Sequence, residues 1–250
     1  RSSRIITILV TPFMSCSARL PVYLLLIGTF FPNNAASVLI GLYILGTVVA
    51  IITARILRRV FYSKDDTPFV MELPPYRIPT MYAVIKHMWE KCAQYLKKIG
   101  TVILLSTIVI WALSYYPKND DLTVAEQSEQ SYIGKIGKSI EPVMEPLGLD
   151  WRASIAIVTS IPAKELVVSS MGVLYDREDE EGLQEAIIKS GNYTPASSLA
   201  FMVFILLFFP CIATVASIAE ETKSKWWALF SIVYNTGIAW LLAFAAYTIA

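Results

Sequence analysis

The sequence predicts an all-α membrane protein: a helical bundle of about six apolar segments, with broken or re-entrant helices. Three observations carry this. The chain has 250 residues, of which 55% are hydrophobic, and a mean hydropathy of +0.55, which a soluble domain of this length rarely reaches. Several stretches approach the roughly 20 apolar residues needed to cross a hydrocarbon core. Proline and charge interrupt some of these stretches internally. Proline removes a backbone donor that lipid cannot replace, so such breaks persist where protein or a wet cavity surrounds them.

Composition narrows the function. Net charge is +1, so no strong field points to nucleic acid or to an acidic partner. The three cysteines are Cys16, Cys92 and Cys211, and two of them lie in apolar runs, which argues against a disulfide framework. His87 is the sole histidine, so a His-rich metal site is excluded. The chain runs from Arg1-Ser2-Ser3-Arg4 straight into apolar sequence without a signal-peptide layout, and reads as a piece of a longer protein.

The first apolar segment, Ile5–Phe31, contains Thr11-Pro12-Phe13-Met14-Ser15-Cys16-Ser17-Ala18-Arg19-Leu20-Pro21. The second, Ala35–Ala54, is ended by Arg55, Arg58 and Arg59. A Pro-rich stretch, Thr67–Pro79, follows. Met81, Ile85, Met88, Cys92, Tyr95 and Ile99 then recur at helical spacing, predicting an amphipathic interfacial helix that leads into the third segment, Ile99–Tyr115. On that stripe Cys92 is expected to be a packed small hydrophobe. Residues 117–150 are polar and mixed in charge. The fourth segment, Ile155–Tyr175, is interrupted by Pro162-Ala163-Lys164-Glu165. The fifth, Ser197–Ile218, contains Pro210-Cys211, and the sixth is Trp226–Thr248. Aromatics such as Phe30, Tyr115, Trp226 and Tyr247 crowd the ends, as in an interfacial belt.

Lysine and arginine in short loops place the end of the second segment in the cytoplasm. If Ile155–Tyr175 is a re-entrant hairpin broken at Pro162, the turn Glu221–Lys225 is cytoplasmic and the acidic loop Asp176–Glu181 is outside. If it crosses fully, the two swap sides. The hairpin fits the positive-inside rule better, and it makes the two Pro/Cys segments run in opposite directions, as an inverted repeat requires. The units expected are 1–63, 64–98 (Pro-rich segment and interfacial helix), 99–150 (a membrane helix and an external polar region) and 151–250.

Charge inside apolar sequence is confined to Arg19, Lys164 and Glu165, and charge at membrane depth is usually paired or faces water. Lys164 and Glu165 can simply start a half-helix after Pro162; alternatively Glu165 faces a cation path. The Pro/Cys clusters can be kinked, tightly packed helices, since Ser15, Ser17 and Ala18 suit close contact. They can also be cation sites, because thiols beside hydroxyls and freed carbonyls suit a divalent first-row metal. Gly134-Lys135-Ile136-Gly137-Lys138-Ser139 resembles a P-loop, but it has two residues where four are needed before the Gly-Lys pair, and it is expected in a loop. Asn192-Tyr193-Thr194 matches a glycosylation sequon, a pattern frequent by chance.

Taken in order, Pro12-Phe13-Met14-Ser15-Cys16-Ser17-Ala18-Arg19-Leu20-Pro21, Pro68-Phe69-Val70-Met71-Glu72-Leu73-Pro74-Pro75-Tyr76, Pro162-Ala163-Lys164-Glu165 and Pro210-Cys211 resemble the membrane region of FeoB ferrous-iron transporters over nearly the whole chain. The resemblance implies a multi-pass inner-membrane protein of prokaryotes that moves Fe²⁺ into the cytoplasm through paired gate repeats. It implies Cys16 and Cys211 as gate cysteines, with Ser15, Glu165 and Thr214 as further candidate metal ligands. Pro12, Met14, Arg19, Pro162, Lys164 and Pro210 are then gate-lining. Family members begin with a GTP-binding domain and the first part of the first gate. Neither is in this sequence, so GTP and Mg²⁺ are expected to belong to an N-terminal domain of the parent protein. This chain by itself is expected to be no enzyme. Its expected partners are the bilayer, that GTPase domain, small cytoplasmic accessory proteins and a second copy of itself, without nucleic acid. The competing readings are a transporter of an organic solute such as a nucleoside, and a membrane scaffold for an absent enzyme domain. A solute site should show converging Asn, Gln, Asp and Glu at depth, and apart from Glu165 and Asn235 the apolar segments carry almost none.

Overall fold

A computed structural model describes residues 2–61, 80–117, 124–177 and 179–249. The Pro-rich segment Thr67–Pro79 and Lys64 lie outside the described residues, as does part of the acidic loop at Asp176–Glu181. Among the described residues all regular structure is helical. The α-helices are α1 Ser2–Val10, α2 Leu20–Phe30, α3 Ala35–Phe61, α4 Met81–Tyr115, α5 Val124–Gln130, α6 Tyr132–Met144, α7 Trp151–Thr159, α8 Leu166–Leu174, α9 Glu180–Ser190, α10 Pro195–Leu207, α11 Ile212–Thr222 and α12 Lys225–Ile249.

Four stretches are long and apolar enough to cross a membrane: Ile5–Phe30, Pro32–Phe61, Pro195–Thr222 and Lys225–Ile249. The first joins α1 to α2 across a break, and the third joins α10 to α11 across another. The other two expected segments are not among these four. The third lies within α4, which is helical throughout Met81–Tyr115 and carries the apolar stretch Leu104–Tyr115. The fourth is divided at Pro162 into α7 and α8, of nine residues each. At 1.5 Å per residue neither helix alone can cross the core.

Those two short helices fold back on each other. Arg152, at the start of α7, stacks over the ring of Tyr175, just past the end of α8, at 5.2 Å. Nearer the turn, Ser170 Oγ donates to Thr159 Oγ1 at 2.7 Å. Both open ends of this hairpin therefore lie together, and its turn is at 160–165.

The core is α10. From Ala200 to Leu207 every side chain is buried, which marks a helix surrounded by protein on all sides. It packs chiefly on α12, where Ala239 and Ala243 are fully buried and permit close approach. Inside lipid, such contacts gain dispersion energy rather than exclusion of water. Conversely Met81, Tyr82, Ile85, Met88 and Trp89 of α4 are exposed. Cys92 is exposed with them, contrary to the packed position expected for it. An apolar face in such a chain need not find a protein partner, because lipid can cover it.

The two broken helices run antiparallel. Leu9 of α1, Leu57 of α3, Ile218 of α11 and Ala228 of α12 form one cluster, so the start of the first break segment and the end of the second share an end of the bundle. Phe61 stacks edge-on against Trp227 at that end. At the other end, Gly28 of α2 abuts Gln184 of α9. The P-loop-like segment at 134–139, expected in a loop, is instead interior to α6, which Ser131 N-caps by accepting from Gly134 N.

The second end is tied by Asp150. Its Oδ1 caps α7 by accepting from Ala153 N at 3.0 Å, and its Oδ2 accepts from Asn192 Nδ2 at 3.1 Å. Tyr193 OH also donates to Oδ1, at 3.4 Å. Burial first, and then the adjacent Asp150 carboxylate, hold the Tyr193 phenol well above its ordinary pKa, so it stays a donor. Nearby, Gly148 adopts φ +68°, and a Cβ there would meet the Tyr247 ring at 2.7 Å, so only glycine fits this turn. Asp150→Ala removes the cap and orphans two donors. It is expected to cost about 1–3 kcal/mol, read as a lower thermal midpoint in detergent. Asn192→Ala should cost visibly less; equal losses would show that the cap contributes nothing.

Candidate functional site

Three helix breaks meet at one cavity of about 410 Å³. The first is between α1 and α2. A 3-10 turn at Thr11–Phe13 carries Pro12, the chain is extended at Met14 and Cys16, and a second 3-10 turn at Ser17–Arg19 leads into α2. The carbonyls freed here are taken up by Arg19, whose Nη1 donates to Met14 O and Nη2 to Pro12 O, each at 2.9 Å. Tyr234 of α12 donates its hydroxyl to Leu9 O, and its ring meets Phe13 edge-on at 5.7 Å. At Gly46 of α3 a Cβ would lie 2.9 Å from Phe13 O, so α3 sits directly on the break.

The second break is the hairpin turn from Ser160 to Glu165, with Pro162 at its centre. The third, Phe208–Cys211, leaves α10 through extended residues at Phe208 and Cys211 before α11 starts. Carbonyls near the end of α10 lose their donors when the chain leaves the helix, and Pro210 has no N–H to offer. Lys164 replaces them. Its ammonium donates to Ile205 O and Phe208 O, both at 2.9 Å, and lies 5.2 Å above the Phe208 ring. In return Ile212 N donates to Ile161 O at 3.2 Å. The second and third breaks are thus hydrogen-bonded to each other in both directions.

All eleven residues singled out in the sequence line this cavity. The first break supplies Pro12, Met14, Ser15, Cys16 and Arg19. The second supplies Pro162, Lys164 and Glu165, and the third Pro210, Cys211 and Thr214. Cys16 and Glu165 are exposed, Cys211 is partly buried, and Arg19 and Lys164 are each 3% exposed. Cys211 Sγ and Thr214 Oγ1 are hydrogen-bonded at 3.1 Å, and either atom can donate. Among the described residues, Arg19 Nε has no hydrogen-bond partner, and Ser15 neighbours the hydroxyl of fully buried Tyr23. Thr11, Ala18, Ala163 and Ala213 complete the wall.

The donor set is two thiols, hydroxyls, one carboxylate and the carbonyls of broken helices. Soft and borderline first-row metals take sulfur, and hydroxyl and carbonyl oxygens can complete their shell. Among the described residues no group of three or more His, Cys, Asp or Glu side chains is placed to hold a metal, so sulfur and carboxylate alone would not suffice. Sequence reasoning missed the capping by Lys164. The pairing spans 41 and 44 residues, and its only signal was Pro210, which announces orphaned carbonyls but not what satisfies them.

Two sequence families match. One described as "Gate: Nucleoside recognition" covers residues 96–225, and one described as "Ferrous iron transport protein B C terminus" covers residues 39–91. A "Fe(2+) transport protein A/Fe(2+) transporter FeoB fusion protein" of Porphyromonas gingivalis is 46% identical over 100% of this chain and 35% of its own length. A "Fe(2+) transporter FeoB" of Campylobacter jejuni is 39% identical over 100% of this chain and 42% of its own. Another, of Methanocaldococcus jannaschii, is 41% identical over 96% of this chain and 36% of its own. The chain therefore spans 35–42% of the length of these relatives. No solved structure matches.

Proposed function

This chain belongs to the FeoB family of ferrous-iron transporters, matching its C-terminal membrane part, and on that premise we propose that the cavity at the three breaks lies on the path by which Fe²⁺ enters the cytoplasm. The observation that carries the proposal is the meeting of Cys16, Cys211, Thr214 and Glu165 on one wall system at points where the helices are open. Open backbone and thiols at depth offer an ion a place to shed water. The ligands are few and mixed, which suits an ion that must also leave. Cys16 and Cys211 act as ligands, with Ser15, Thr214 and Glu165 completing the shell, and Arg19 and Lys164 hold the breaks open.

Topology supports a gate. Arg55, Arg58 and Arg59 put the end of α3 in the cytoplasm. Phe61 meets Trp227, so the turn at 221–225, with Lys223 and Lys225, is cytoplasmic too. The α7–α8 hairpin then enters from the outer face and returns to it, and the two broken helices become inverted counterparts. The units at 1–63, 64–98, 99–150 and 151–250 fit this scheme as half of a first gate, an interfacial segment, a connecting helix and a second gate. The chain acts as the permease part. GTP and Mg²⁺ are handled by an N-terminal domain of the longer protein in a prokaryotic inner membrane. A small accessory protein, in line with the fusion in one relative, and a second copy of the chain are its further partners. An organic solute fits less well, since the cavity wall carries no Asn or Gln.

The test is the Cys16→Ser/Cys211→Ser double variant of the full-length protein, reconstituted in liposomes. Fe²⁺ uptake is expected to fall at least about tenfold while insertion is retained. Wild-type uptake by the double variant would falsify the role given to the thiols.

A further inference from the structure

Resting on the transport reading above, in which Ser15 is a ligand, we propose that Tyr23 is a positioning residue of the cavity. Its phenol oxygen takes the proton side of the Ser15 hydroxyl, so that the Ser15 oxygen presents its lone pairs to the ion.

Tyr23 sits in the first turn of α2, just beyond the first break. Its ring is 0% exposed and belongs to the main apolar core. A phenylalanine ring would fill that space equally well. The hydroxyl is another matter. Among the described residues no backbone carbonyl and no carboxylate takes it up, and its neighbours include the Ser15 hydroxyl and the Arg19 guanidinium. A buried hydroxyl this poorly satisfied lowers stability rather than raising it. For packing alone phenylalanine would be the better residue, so the oxygen calls for a reason outside stability.

Ser15 supplies that reason. It lines the cavity beside Cys16, in the short stretch between the two 3-10 turns. Arg19 fixes the backbone just before it, at Pro12 O and Met14 O, and leaves the Ser15 side chain to be oriented by something else. A serine hydroxyl has one donor and two lone pairs. Towards a cation it can offer only a lone pair, so its proton must point away and needs an acceptor behind it. The guanidinium of Arg19 has no acceptor to give, whereas the phenol of Tyr23 has. Partners that orient a metal ligand in this way are worth about 10–100-fold in affinity or activity.

The experiment measures Fe²⁺ uptake against Fe²⁺ concentration for the full-length protein in liposomes, as a double-mutant cycle of Tyr23→Phe and Ser15→Ala. Tyr23→Phe is expected to raise the half-saturating Fe²⁺ concentration roughly tenfold, with a melting midpoint in detergent at or above that of wild type. Ser15→Ala should raise that concentration by at least as much. Adding Tyr23→Phe to Ser15→Ala should then change nothing further, because the phenol acts through the serine alone. Unchanged half-saturation in either single variant overturns the proposal, as does a further tenfold loss in the double variant. A lower melting midpoint in Tyr23→Phe, or failure of that variant to insert, shows the hydroxyl to be structural and overturns it as well. Absence of Fe²⁺ uptake by the wild-type protein overturns the transport reading and this one with it, whereas the other outcomes with normal wild-type uptake overturn this one alone.

Discussion

Lys164→Met is expected to lower stability by about 2–5 kcal/mol and to abolish iron uptake. Methionine matches the apolar stem of lysine and lacks only its terminal amine, so packing along the stem changes little. What is lost is the donor to Ile205 O and Phe208 O, two carbonyls that the broken end of α10 leaves without helical partners. Each orphaned buried carbonyl costs about 1–3 kcal/mol, and Lys164 is only 3% exposed. For a chain of this size each kcal/mol lowers the melting midpoint by about 2–4 °C. Thermal unfolding in detergent, alongside liposome uptake, checks both effects. A Lys164→Met protein that melts like wild type would show that the carbonyls are satisfied some other way.

Gly46→Leu should have the next largest effect. A Cβ at this position would lie 2.9 Å from Phe13 O, and Leu206 Cδ1 is 3.5 Å away, so a branched side chain has no room between α3, the first break and α10. Overpacking of this kind costs about 1–3 kcal/mol, and here the strain falls on the turn that positions Cys16. Uptake should drop more than stability, because the cavity wall moves before the bundle comes apart. Gly41→Leu, five residues earlier on the same helix with nothing within 4 Å of its Cβ, is the control and should behave as wild type. Equal behaviour of the two variants would rule out the close approach of α3 to the break as a functional contact.

The breaks were legible in the sequence because proline acts locally: Pro12, Pro162 and Pro210 each lie two or three residues beyond the end of a helix. The residues that line the cavity could be named for the same reason, since thiol, hydroxyl and charge beside a proline stand out in apolar sequence. Their convergence could not be read. It depends on α7 and α8 folding back, which contacts such as Arg152 against Tyr175 and Ser170 against Thr159 make visible. The roles of the cations were hidden too. Arg19 and Lys164 bond to backbone carbonyls, which every residue has, so no residue type marks the partner. Cys92 erred in the opposite way: periodicity finds the apolar stripe of a helix, but it does not say whether protein or lipid will cover it. The fourth segment is not one span because hydropathy does not register how Pro162 divides it into two nine-residue helices.

The hydrogen bonds at the breaks are unevenly distributed. The first break is clipped within itself, since Arg19 holds Pro12 and Met14 of its own segment. The third is sewn to the second by three bonds: Ile212 N to Ile161 O, and Lys164 Nζ to Ile205 O and Phe208 O. Cys211 and the hairpin turn thus form a single jaw, while Cys16 rides on another that carries its own brace. Separating the two thiols breaks no hydrogen bond within either jaw; what resists it is the side-chain packing that Phe13 shares with α10. Through those three bonds the position of Cys211 is tied to that of the hairpin turn, whereas the segment that carries Cys16 is tied through Phe13 and Leu9 to α3 and Tyr234.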